Sequence, residues 1–332
     1  MRRITRETTF DELYELPELS PFSDYMVYTG DGELIRGITI EERSRRDNWN
    51  TEAVVGGLNF LSEQSEKGRV HFYPLYNEDT CDDPAKKDVS FIHIAPEEPD
   101  PKKPAIILCA GGGYVCVCNM VESFPTARYY VEAGYSVFVL TYRVTSLPVL
   151  PNALADLARG VRFLGENCQK LCVPADDYII CGWSAGANLV CNFGTTEVGY
   201  QAFQVPKPRS IFTVYTPVFL SDEAAKSFFG RQMLGELSDS EIEKYRLEKK
   251  VNKDFPPCYL VCGQDDAVVD PENSRVLDVL LTKAGVLHIF EEVAHAHHGC
   301  GDGLGTDAEG WPLRALAFAM DCSGDFPFEH QP

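Results

Sequence analysis

The residues most able to do chemistry begin at Gly182-Trp183-Ser184-Ala185-Gly186. This pentapeptide follows the apolar run Tyr178-Ile179-Ile180-Cys181 and leads into Ala187-Asn188-Leu189-Val190-Cys191. A serine in G-x-S-x-G, with a strand before and a helix after, is thrust above a sheet as a candidate nucleophile. In so tight a turn, side chains two before and two after the serine would collide, hence glycine at both places. The helix start and the Ala185 N–H then face negative charge forming beside Ser184. The packing alternative is a turn around a buried serine.

Three further stretches fit the same chemistry. Ile106-Ile107-Leu108-Cys109-Ala110 runs into Gly111-Gly112-Gly113-Tyr114. Glycines at a strand end let backbone N–H groups approach a ligand oxygen, so Gly112 and Gly113 are candidate oxyanion donors beside Ala185. A phosphate loop is disfavoured, because neither G-x-G-x-x-G nor Gly-Lys-Ser/Thr follows. Cys262-Gly263-Gln264-Asp265-Asp266 opens an acidic turn before Asp270-Pro271. An acid there can accept a hydrogen bond from imidazole and fix its tautomer. Asp265, Asp266 and Asp270 compete for this role, with a helix-capping function the alternative for Asp270. Finally, Ala294-His295-Ala296-His297-His298 enters a loop with glycines at 299, 301, 303 and 305. Three histidines in a glycine-rich loop suit a base acting near neutral pH. Clustered His and Asp also suit a metal, the main rival chemistry.

These pieces need a frame to position them. Apolar, β-branched runs predict strands at 70–73, 89–94, 105–110, 136–142, 178–181, 211–215, 258–262 and 288–290. Helical patterns lie between the later ones, at 121–133, 153–167, 185–193, 271–284 and 308–320. Such alternation predicts an α/β fold with a mostly parallel sheet covered on both faces and a more antiparallel start. Residues 1–65 are charged and helix-prone and read as an N-terminal extension, serving as a lid or dimer contact. Residues 66–332 are expected to form the domain that carries this chemistry, and the long charged segment 221–253 reads as a helical insertion over the mouth of its sheet.

Composition narrows the function. The chain has 332 residues, 44% hydrophobic and 24% charged, with a net charge of −20. That is globular composition, and its field repels phosphate backbones and anionic lipid, so neither nucleic acid nor membrane is an expected partner. Met1-Arg2-Arg3-Ile4-Thr5-Arg6-Glu7 is charged and followed by no apolar run, so the expectation is a cytoplasmic protein. The twelve cysteines lack metal-site spacing and several sit within apolar runs, which favours free thiols.

From about Val70 onward, the chain resembles the α/β-hydrolase superfamily. It is most similar to the esterase/lipase group with the hormone-sensitive-lipase-like and bacterial acetyl-xylan or feruloyl esterases. The order Ser184, Asp266, His298 is that superfamily's triad order. Ala110-Gly111-Gly112-Gly113-Tyr114 resembles its His-Gly-Gly-Gly-aromatic motif, with alanine in the place of His or Pro. Thr141-Tyr142-Arg143 and Pro151-Asn152-Ala153-Leu154-Ala155-Asp156 also match.

The resemblance implies Ser184 as nucleophile, Asp266 as acid three positions after Gly263, and Gly112, Gly113 and Ala185 as the oxyanion hole. His298 is the implied base, supported by its His-Gly pairing, with His295 the alternative on spacing from the preceding apolar run. Tyr142, Arg143 and Asp156 are implied to be structural. The implied activity is hydrolysis of short-chain, acetyl-type esters of sugars or small alcohols, with no cofactor and no metal. Tyr114, Val115, Cys116 and the insertion are expected to line the pocket, and Tyr114 and Trp183 to bind substrate. Core aromatics are the alternative for those two. A peptidase on the same fold and a catalytically silent binding protein are the rival readings, and a homodimer is compatible with the extension.

Overall fold

A computed structural model describes residues 2–77, 82–218 and 228–322. Eight strands form one sheet: β1 (Val70–Pro74), β2 (Ser90–Ile94), β3 (Ala105–Cys109), β4 (Val137–Thr141), β5 (Tyr178–Trp183), β6 (Ser210–Val214), β7 (Cys258–Gly263) and β8 (His288–Val293). Their spatial order is β1-β2-β4-β3-β5-β6-β7-β8. The β1–β2 and β2–β4 pairs are antiparallel, and every later pair is parallel. All eight strands read from the sequence are present, and the antiparallel start with a parallel remainder is the predicted arrangement. Strands β2 to β7 are buried along their whole length, as β-branched runs covered on both faces should be.

Side chains alternate across the sheet and feed two cores. In β5, Tyr178 and Ile180 join one core with the long 149–171 helix and the 185–193 helix. Ile179, Cys181 and Trp183 join the other, with the 123–132 and 311–321 helices. This second core also takes in the N-terminal segment, since Phe10, Leu13, Leu19, Val54, Leu58 and Leu61 are buried against it. Two capping boxes, Thr9 with Glu12 and Thr39 with Glu42, start the short helices there.

Of the 221–253 insertion, 221–227 lie outside the described residues. The rest forms short helices at Phe228–Leu234, Asp239–Ile242 and Leu247–Lys250. Leu234 and Leu247 anchor it in the first core, and the Gln232 amide donates to the Val144 carbonyl at 3.0 Å. Beneath it, Arg143 and Asp156 form a buried ion pair at 2.7 Å, also held by the Arg143 N–H and the Tyr76 hydroxyl. Tyr142 donates to the Ala110 carbonyl at 2.7 Å. All three have structural partners. The described cysteines are free, and no described helix is long and apolar enough to cross a membrane.

Candidate active site

The site gathers at the C-terminal ends of β3, β5, β7 and β8, where ligands bind in open α/β sheets. Ser184 follows β5 directly, with φ +50° and ψ −121°, a region L residues rarely occupy. Two glycines make the turn possible. A Cβ on Gly182 would overlap the Gly186 carbonyl, and one on Gly186 would overlap the carbonyls of Cys109 and Ala110 at the end of β3. The Ser184 N–H donates to the Val214 carbonyl at 3.1 Å, which ties the turn to β6.

His298 faces the serine. Its Nε2 lies 3.1 Å from the Ser184 Oγ, and its Nδ1 lies 2.9 Å from Asp266 Oδ2. A carboxylate can only accept, so the neutral ring carries its proton on Nδ1 and offers a free Nε2 lone pair to the serine hydroxyl. Asp266 is buried, and its Oδ1 accepts the N–H groups of Val268 and Val269 at 2.8 and 2.9 Å. Those bonds leave only Oδ2 free to turn towards the imidazole.

The competing residues point elsewhere. His295 is exposed and lies 3.5 Å from Asp265, not from the serine. Asp265 accepts the Ala296 N–H at 2.8 Å. Asp270 accepts the Glu272 N–H at 2.9 Å, the capping alternative for this residue. Among the described residues, no group of three or more His, Cys, Asp or Glu side chains converges to hold a metal ion.

The Gly111–Cys118 loop packs beside the serine. The Cys116 N–H donates to the Gly112 carbonyl and the Cys118 N–H to the Gly111 carbonyl. Gly112, at φ +134°, and Gly113, at φ +61°, turn the chain so tightly that a Cβ on Gly112 would overlap the Cys116 carbonyl. Both glycines, Ser184 and Ala185 line a cavity of about 620 Å³. Ala185 starts the 185–193 helix, so its N–H has no carbonyl of its own helix to bond. Burial raises the Glu122 carboxyl above the usual range, while N–H and O–H donors from Gly111 and Tyr215 oppose the shift.

Tyr114, Val115 and Cys116 line the cavity, as do Gly230, Met233 and Tyr245 of the insertion. Tyr114 is nevertheless tied down, its hydroxyl donating to Asn188 Oδ1 at 2.9 Å. Trp183 corrects the sequence reading. It does not line the cavity but lies fully buried in the second core, with its Nε1 donating to the Gly301 carbonyl at 3.0 Å and its ring against Trp311. As the last residue of β5, it takes the face of Ile179 and Cys181, away from the site.

Sequence reasoning also missed Asp47, Asn48 and Trp49. They form a wall of the cavity, and the neighbouring Asn50 amide donates to the Leu304 carbonyl at 2.6 Å. The N-terminal segment is thereby docked on the histidine loop. Asn188, one helical turn after Ser184, also lines the cavity and could have been found from its spacing. Glu122 and Tyr215 carried no such signal.

Residues 92–281, more than half of the chain, match the family model described as BD-FAE. The chain is 29% identical over 185 residues to endo-1,4-beta-xylanase B of Butyrivibrio fibrisolvens, covering 53% of this chain and 29% of that protein. It is 22% identical over 223 residues to esterase LipQ of Mycobacterium tuberculosis, covering 60% of this chain and 51% of that one. The matched regions thus span about a third and a half of these relatives' lengths.

Among solved structures, the acetyl ester-xyloside bifunctional hydrolase from Caldicellulosiruptor lactoaceticus has a TM-score of 0.65 at 24% identity, covering 77% of this chain and 97% of its own. The carboxylesterase Cest-2923 from Lactobacillus plantarum has a TM-score of 0.61 at 19% identity, covering 73% and 94%. With its sheet order, strand–serine–helix turn and matched segment together, this chain belongs to the BD-FAE family and has the α/β-hydrolase fold.

Proposed function

We propose that the chain is a serine esterase that cleaves short acyl esters of carbohydrates. The observation carrying this reading is the continuous hydrogen-bonded line from Ser184 Oγ through His298 to Asp266, at 3.1 and 2.9 Å, opening on a cavity that Gly112, Gly113 and Ala185 also line. In the first step, His298 Nε2 takes the Ser184 proton as Oγ forms a bond to the ester carbonyl carbon. The Gly112, Gly113 and Ala185 N–H groups stabilise the resulting oxyanion. Collapse of the tetrahedral intermediate breaks the bond to the alcohol oxygen, which leaves with the proton held by His298. Water, deprotonated by His298, then adds to the acyl-enzyme, and its collapse releases the acid and restores Ser184. One oxyanion donor typically supplies about 10²–10³ in turnover.

The size of the cavity and the similar proteins support the substrate class. About 620 Å³ accommodates a sugar-sized alcohol with a short acyl group. Two similar proteins are named for xylan cleavage and for acetyl ester-xyloside hydrolysis. Trp49, Tyr245 and Met233 give the walls the apolar surface on which the faces of a sugar ring can stack.

The test is hydrolysis of p-nitrophenyl esters from acetate to octanoate by wild type and the Ser184→Ala, His298→Ala and His295→Ala variants. Activity greatest on acetate or butyrate, abolished by the first two changes and kept by the third, supports the reading. A folded but inert wild type favours the silent binding protein instead.

A further inference from the structure

Glu122 stands beside the site, 4% exposed, and lines the cavity, yet no step of the acyl transfer uses it. A buried carboxyl is costly unless its oxygens are satisfied, and an apolar residue would fill the same space more cheaply. What it holds is therefore informative. Oε2 accepts the N–H of Gly111, the residue immediately before the two glycine donors. Oε1 accepts the Tyr215 hydroxyl at 2.8 Å. Tyr215 directly follows β6 in a left-handed conformation, φ +41°, and its ring centre is 4.5 Å from that of His298. The Gly301 backbone lies near the same phenol. Gly301 also presses against the turn before Glu122, and a Cβ there would come 2.5 Å from the Val121 carbonyl oxygen.

One carboxyl thus joins the oxyanion loop, the end of β6 and the histidine loop. We infer that Glu122 is a positioning residue that clamps the oxyanion loop and, through Tyr215, the His298 loop in the geometry acyl transfer requires. This role rests on the serine-esterase reading above. Its mechanism is orientation. Anchoring the Gly111 N–H holds the Ala110–Gly111 peptide plane, whose carbonyl Tyr142 grips from the other side, and so sets where the loop carrying the Gly112 donor leaves β3. A misplacement of about 1 Å in such a site costs on the order of 10² in rate. Because these donors act on the oxyanion rather than on the bound ester, the loss falls on kcat.

The test compares kcat, KM and melting temperature of wild type, Glu122→Ala, Glu122→Gln and Tyr215→Phe on p-nitrophenyl acetate. Glu122→Ala is expected to lower kcat about 10²-fold with KM changed less than about threefold. Glu122→Gln restores kcat to within about tenfold of wild type, because its amide oxygen can accept from Gly111 while its N–H donates to the phenol oxygen. Tyr215→Phe, which keeps the ring, loses about tenfold in kcat.

Wild-type kcat in a folded Glu122→Ala protein, a loss confined to KM, or a glutamine variant no better than alanine overturns the role. If the alanine variant does not fold, Tyr215→Phe decides, and an unchanged kcat there overturns it. An inert wild type overturns the esterase reading and this role together, whereas an active wild type with indifferent variants overturns the role alone.

Discussion

On the proposed mechanism, replacing Asp266 by asparagine inverts the proton logic of the Ser184–His298–Asp266 line with almost no change in shape. Asp266 Oδ1 accepts two backbone N–H groups, from Val268 and Val269. In asparagine only the carbonyl oxygen can take that place, since an amide NH₂ would face two donors. The NH₂ must then point at His298 Nδ1, which lies 2.9 Å from Oδ2 in the native site. A donor there forces Nδ1 to accept, and the ring proton moves to Nε2. Nε2 sits 3.1 Å from Ser184 Oγ and, once protonated, cannot take the serine proton.

The expected loss in kcat is about 10⁴-fold, or roughly 5.4 kcal/mol at 1.36 kcal/mol per decade. Asp266→Ala leaves the ring free to choose its tautomer and should lose less. The assay is p-nitrophenyl acetate turnover beside thermal unfolding, with the asparagine variant melting near wild type because both backbone bonds survive. An asparagine variant retaining a tenth of the activity, or more active than the alanine variant, would refute the tautomer argument.

Trp49→Ala should spare p-nitrophenyl acetate within about threefold but cut kcat/KM on an acetylated xyloside about tenfold, the worth of one aromatic contact. Equal losses on both esters would remove Trp49 from the alcohol side of the cavity. His93 predicts an acid limb in stability. Burial holds its ring down to about 3 from 6.5, stacked on Phe138 at 4.3 Å with both nitrogens unpartnered among the described residues. Below pH 6.5 the unfolded chain takes up a proton that the folded chain refuses. Stability is therefore full above that pH and falls towards pH 3 by at most about 1.4 kcal/mol per unit. His93→Phe should flatten this limb in denaturant titrations at pH 4 and pH 7, and an unchanged difference between them would contradict the assignment.

Local pattern carried the frame further than it carried the walls of the site. Strands β2 to β7 were legible because buried strands are unbroken apolar runs, as in Ile106-Ile107-Leu108 and Val137–Thr141. The Gly182–Gly186 turn was legible because sterics leave few residue types that fit it. Trp183 was misread by adjacency to Ser184, although alternation along β5 assigns it to the face of Ile179 and Cys181. Asp47 to Trp49 reach the cavity only because the N-terminal segment packs on the sheet and docks by Asn50 on the histidine loop. Contacts across more than 200 residues of chain leave no periodic trace. Glu122 was invisible for the same reason, since Gly111, Tyr215 and Gly301 meet it only in three dimensions.

The most direct test of the central claim is intact-mass analysis after exposure to a fluorophosphonate, a reagent that phosphonylates an activated serine. The account predicts one adduct per wild-type chain, mapped to Ser184, none on Ser184→Ala, and labelling slowed by His298→Ala but not by His295→Ala. A folded wild type that remains unlabelled, or an adduct on another residue, would contradict it.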